Sequence, residues 1–107
     1  MGYQALLLNN KIPDIFLKVL GYRIENKNEK CTHFRKDKFG KDEYNYAIRY
    51  EIHIFRDKVF KQSEICVTPY YSRINMYDWF NGTEALYYLK KLENKLIKYT
   101  KIKEDKQ

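Results

Sequence analysis

The residues able to do chemistry in this chain of 107 are few and scattered. Cys31, His33, His53 and Cys66 are the side-chain types of a tetrahedral zinc site. Structural zinc sites usually carry a closely spaced cysteine pair, and Cys31-Thr32-His33 is too tight to resemble that knuckle. A second constellation is Pro13-Asp14 followed by Glu25-Asn26-Lys27, the loose order of carboxylates and lysine that metal-dependent nucleases place around a divalent ion. Asp14 is equally well explained by the first turn of a helix, where the dipole favours an acid. Glu93-Asn94-Lys95 repeats half of the pattern in a helical context, so chance makes it readily. There is no nucleophile elbow, no Walker A loop and no G-x-G-x-x-G, and four glycines offer little from which to build a phosphate-cradling loop. Neither histidine has a persuasive catalytic partner in the sequence. The expectation is a protein that is not an enzyme, with no catalytic residue, metal or cofactor assigned.

Tyrosine and lysine are the other chemistry on offer. The chain holds 11 tyrosines among 21 basic residues and 14 acids, a net charge of +7. Aromatic rings stack bases and ammonium groups neutralise phosphates. Tyr44, Tyr46 and Tyr50 share the parity of apolar neighbours and are expected in the core. Tyr70, Tyr71, Tyr77, Trp79, Tyr87 and Tyr88 are freer. The candidate binding surface is therefore Arg73, Tyr77, Trp79, Tyr87, Tyr88, Lys90 and Lys91. Aromatic and basic groups together equally suit a protein–protein hot spot. The positive charge points to nucleic acid, a nucleoprotein or an acidic protein face. Its plain alternative is that the lysines are only solvated.

The elements that position these groups follow from periodicity. Tyr44 to Ile54 alternates, with Tyr44, Tyr46, Ile48, Tyr50, Ile52 and Ile54 on one side and Asn45, Ala47, Arg49, Glu51 and His53 on the other. That is a strand with one buried face. A second strand runs from Val59 to Tyr71. A loop over Phe55–Lys58 pairs Ile54 with Val59, Ile48 with Ile65 and Arg49 with Glu64. It leaves Lys61 and Ser63 on the apolar side. In that register Cys66 faces Ala47, about 20 Å from His53, too far to share a metal. Pro69 suits an edge or strand end.

Before these strands, Leu6–Leu8 closes a short apolar segment, either strand or helix. Ile12, Ile15, Phe16, Val19 and Leu20 mark a helix over 11–20, with Asn10 as N-cap and Gly21 as the C′ residue. Strands start at Tyr22 and Lys30, and 36–43 reads as a charged loop. After them, Asn81 with Glu84 resembles a capping box. Ala85, Leu89, Leu92, Leu96 and Tyr99 form one stripe on a helix of about 17–20 residues. The tail 103–107 is expected to fray.

The expected fold is α+β: a small antiparallel sheet of 3–4 strands packed on one face by an N-terminal and a C-terminal helix, in one domain spanning 1–107. The other sheet face, with Arg49, Glu51 and His53, is left to solvent or function. The order is similar to that of the double-stranded-RNA-binding domain, α-β-β-β-α. The resemblance is in order only: Asn81-Gly82-Thr83-Glu84-Ala85-Leu86 puts an acid where that family has a basic helix start, and no residue is carried over.

No apolar run is long enough to span a membrane, and Met1 to Leu8 lacks the parts of a signal peptide. The expected compartment is the cytosol, with both cysteines reduced. Lys (16), Tyr (11), Ile (10) and Asn (8) have A/T-rich codons, a composition associated with phages and mobile elements of AT-rich bacteria. The leading expectation is a small basic accessory protein that engages nucleic acid or a nucleoprotein complex. The alternative is an inhibitor or adaptor of the anti-defence type, directed at one host protein. A homodimer through Leu89, Leu92 and Leu96 is open if the sheet does not cover them.

Overall fold

The computed structural model describes residues 6–8, 12–78 and 82–105, with the side chains of 84–98 in the last helix. The elements in order are β1 (Leu6–Leu8), α1 (Asp14–Val19), β2 (Arg23–Lys27), β3 (Cys31–Lys41), β4 (Ala47–Asp57), β5 (Gln62–Tyr71), β6 (Met76–Tyr77) and α2 (Gly82–Asp105). The class is α+β, as expected. Among the described residues the sheet has six strands rather than three or four, in the order β1-β5-β4-β3-β2, with β6 also on β5. All pairings are antiparallel. A strand precedes α1, so the likeness to the α-β-β-β-α order ends there.

The alternation in β4 puts Ile48, Tyr50, Ile52 and Ile54 on one face. Ile65 and Val67 of β5 and Phe34 of β3 lie beside them, and Phe16, Leu17, Ala85 and Leu92 from the helices close the same core. Leu89 and Leu96 also pack against it, so the stripe from Ala85 to Leu96 is covered by the sheet. The helix α2 rests on β5 and β1.

The β4–β5 register is six residues away from the expected one. Ile54 faces Ile65, Ile52 faces Val67 and His53 faces Cys66. An even shift keeps every side chain on its expected face. Asp57 closes the turn that goes with this register. Its Oδ1 accepts the backbone N–H groups of Val59 and Phe60 at 2.8 and 3.0 Å, closing the turn after β4 rather than over Phe55–Lys58. Lys61 then takes the left-handed conformation in the turn, φ 52°. Ser63 falls opposite Arg56 and accepts its Nε–H at 3.2 Å.

The same device moves the start of β4. Asp42 Oδ1 accepts N–H groups from Tyr44 and Tyr46 at 2.8 and 2.9 Å. Those tyrosines sit in the turn and are 60 % and 53 % exposed, not core as their parity suggests; Tyr50 alone of the three packs on the core. The strand β3 runs through the stretch expected to be loop, because Lys36 and Lys38 continue the parity of Thr32 and Phe34.

The helix α1 starts at Asp14, after an extended Pro13. A proline disfavours helix in the residue before it, so Ile12 stays outside. The buried side is Ile12, Phe16 and Leu17, whereas Ile15 and Val19 are exposed. Gly21, φ +95°, ends the helix as expected. Its N–H donates to the Lys18 carbonyl, and that of Tyr22 donates to Leu17 at 3.0 Å, a Schellman closure. The helix α2 runs on to Asp105. Asn10 and Asn81, expected caps, lie outside the described residues.

Candidate functional site

Because α2 covers β5 and β1, the β3 side of the same sheet face is left open beside the end of α1. A recess forms there, lined by Leu20, Tyr22, Lys36, Lys38, Ile52, Tyr88, Lys91, Leu92 and Lys95, with about 20 Å³ of free interior. The strand period brings Lys36 and Lys38 to it from β3. The helix period brings Tyr88, Lys91 and Lys95 to one flank of α2, beside the buried Ala85–Leu92 stripe. The Schellman closure turns Tyr22 inward.

Four ammonium groups converge here and, among the described residues, no carboxylate lines the recess. Lys36 Nζ donates to the Leu20 carbonyl and lies 5.4 Å from the Tyr22 ring centre. Burial first, and then the charges of Lys38, Lys95 and Lys91, push its amine down to about 8. Burial also raises the Tyr22 and Tyr88 phenols, so both rings stay neutral.

Arginine and lysine divide the positive charge between them. All five arginines are paired with acids: Arg23 and Arg35 with Glu25 and Asp37, Arg35 and Arg49 with Glu51, Arg56 with Asp14, and Arg73 with Asp42. No described lysine makes an ion pair. The net charge is therefore carried at the surface by lysine.

Of the residues singled out from sequence, Tyr87, Tyr88 and Lys91 come together. The two rings meet edge-on at 5.0 Å, and Lys91 Nζ lies 5.8 Å from the Tyr87 centre. Lys90 is exposed but turned about 100° away around the helix. Arg73 lies in the β5–β6 turn, 4.8 Å over the Tyr44 ring and paired with Asp42 at 3.4 Å. Tyr77 is on the opposite sheet face, donating its hydroxyl to Glu51 at 3.0 Å. Trp79 lies outside the described residues. Sequence reasoning missed Tyr22, Lys36, Lys38 and Lys95. The parity of 32–38 was the signal for the two on β3.

The opposite sheet face carries a polar network. Glu51 is buried and accepts hydrogen bonds from Arg49 and Tyr77. His53 Nε2 lies 3.3 Å from Glu51 Oε1, and His53 Nδ1 lies 2.8 Å from His33 Nε2. If His53 donates to Glu51, His33 must donate to His53. Burial lowers both histidines below their ordinary value, and each also feels a positive neighbour in Arg35. The sequence argument that His53 and Cys66 are far apart is overturned, since they face one another. Among the described residues, no three His, Cys, Asp or Glu side chains are grouped to hold a metal ion. Burial pushes the Cys66 thiol up to about 12, so it stays protonated at neutral pH.

The nuclease constellation is not assembled. Asp14 bonds Arg56 on the helix-covered face at 2.7 Å, whereas Glu25 pairs with Arg35 on the other. Among the described residues no helix is long and apolar enough to cross a membrane. Comparison with family models, with curated proteins and with solved structures finds no match to this chain.

Proposed function

We propose that the protein binds nucleic acid, free or within a nucleoprotein complex, through the recess between α2 and β3. The observation that carries this reading is the convergence of Lys36, Lys38, Lys91 and Lys95, with no carboxylate among the described residues, around two tyrosine rings. Burial first, and then the like charges of Lys38, Lys95 and Lys91, lower the affinity of Lys36 for a proton, a cost to its charged form. A polyanion relieves it. The rings of Tyr88 and Tyr87 offer surfaces on which bases stack. The setting we propose is the cytosol, in an accessory protein of a phage or mobile element; the lysine- and tyrosine-rich composition supports it.

Salt is the test. Four phosphate contacts on a single strand reduce affinity about 50-fold between 50 and 200 mM salt. Oligonucleotide affinity at those two concentrations is expected to fall by that order, and the fall to shrink in Lys91→Gln/Lys95→Gln. No binding at low salt overturns the reading.

A protein-directed role has its own observation. Phe39, Tyr44, Tyr46, Ile74 and Met76 are exposed at one end of the sheet, where Arg73 ties the two turns together over Tyr44. Exposed aromatic groups around an arginine are the usual makings of a hot spot. Binding to one host protein that is insensitive to salt and lost in Tyr44→Ala would favour this role.

A further inference from the structure

We infer that the recess recognises a phosphomonoester, the terminal phosphate of a strand or of a nucleotide, in preference to the diester backbone. The inference rests on the reading above and narrows its ligand. The four lysines do not trail along a groove. Lys36 and Lys38 are alternate residues of β3, about 7 Å apart along it, and Lys91 and Lys95 are one turn apart on α2, about 6 Å. They meet over one recess with about 20 Å³ of free interior, about what one water molecule needs, so an anion is met at its mouth, at one point and not along a run of backbone. A backbone diester brings a single negative charge to each point. A terminal phosphate brings about 1.5 to 2, on three oxygens that can each accept a hydrogen bond. One such group answers several converging ammonium groups at once. The half-buried ring of Tyr88 lines the same recess, so the nucleotide bearing that phosphate has a ring to lie against, whereas Tyr22 is buried beneath. The proton that Lys36 holds weakly becomes tightly held beside such an anion, so binding above neutral pH takes up protons.

The experiment compares three probes on the wild-type protein at fixed salt: one single-stranded oligonucleotide with a 5′-phosphate, the same strand with a 5′-hydroxyl, and adenosine monophosphate. On a strand of about 20 nucleotides the added group changes total charge by roughly a tenth, which by itself alters affinity less than about twofold. The expected result is tenfold or more in favour of the phosphorylated strand. That preference is lost in Lys36→Gln and in Lys95→Gln, each checked for folding by circular dichroism, and kept in Lys30→Gln, which lies in the distant β2–β3 turn. Equal affinity for the two strands overturns the inference and leaves the backbone reading standing. Adenosine monophosphate bound as tightly as the phosphorylated strand supports the phosphomonoester site and overturns the nucleic-acid reading. No binding of any probe overturns both.

Discussion

His53 stands between a carboxylate and a second imidazole, and this fixes how the fold responds to acid. Glu51 holds one ring nitrogen at 3.3 Å and His33 meets the other at 2.8 Å. His33 also stacks on Phe55, ring centres 4.3 Å apart. Protonating both rings would place two cations in contact, next to Arg35. Burial already disfavours the charged form of each. In the unfolded chain both titrate near the ordinary value of about 6.5. The unfolded state therefore binds more protons below that pH, and stability is lost as pH falls through it. Tm is expected to be lower at pH 5.5 than at 8, by about 4–8 °C for each 1 kcal/mol lost. His33→Phe keeps the stack on Phe55 and is expected to shrink that difference. An equal pH dependence in the variant would show that the pair is not its source.

At the scale of elements, three hairpins share one closing device. Asn28, Asp42 and Asp57 each end or follow a strand, and each side chain accepts two backbone N–H groups of the turn that comes next. Asp57→Ala removes two such bonds at an exposed site, an expected loss of about 1–2 kcal/mol. Thermal unfolding should show Tm down by roughly 5–10 °C. An unchanged Tm would mean that the β4–β5 register is set by the paired isoleucines alone. These turns explain what the sequence disclosed and what it hid. Alternation in Ala47–Ile54 assigned each face correctly, because the side-chain period is two whatever the register. It could not place the turn, since a shift of six residues leaves the same residues on the same faces. The aspartates held that information and are read only when their hydrogen bonds are considered together with the apolar pattern. The binding recess was half legible. Tyr88 and Lys91 stood out beside the helical stripe. Lys36 and Lys38 were hidden, because a run of charges inside a strand looks like a loop.

Across the whole molecule, charge is sorted by residue type. Arginine, with its planar fork, sits in networks with Glu51, Asp37 and Asp42. Lysine, compact and strongly hydrated, stays outside those networks, and Lys36 is half-buried. Opposite changes in stability should follow. Arg35→Gln leaves Asp37 and buried Glu51 short of a partner and costs about 1–3 kcal/mol, a Tm drop of roughly 5 °C or more. Lys36→Gln removes a repelled charge and should raise Tm at pH 7 while weakening nucleic-acid binding. Raising the pH of the wild type from 7 towards 9 should also stabilise it, since Lys36 gives up its proton near 8 when folded and near 10.5 when unfolded. A fall in Tm in Lys36→Gln would make that lysine a structural residue.

The strand order has a consequence for how the chain assembles. From β2 to β5 each strand pairs with the next in sequence, across short turns that close at little entropic cost. The strand β1 is different: Leu6 meets Ile65, 59 positions away. Contacts that distant are slow to form, so the meander is the natural nucleus and the edge strand a late arrival. Since α2 rests on both β5 and β1, its final seat waits for that arrival. The lysines of β3 are in place from the first hairpins, while those of α2 join them only when the two ends of the chain have met.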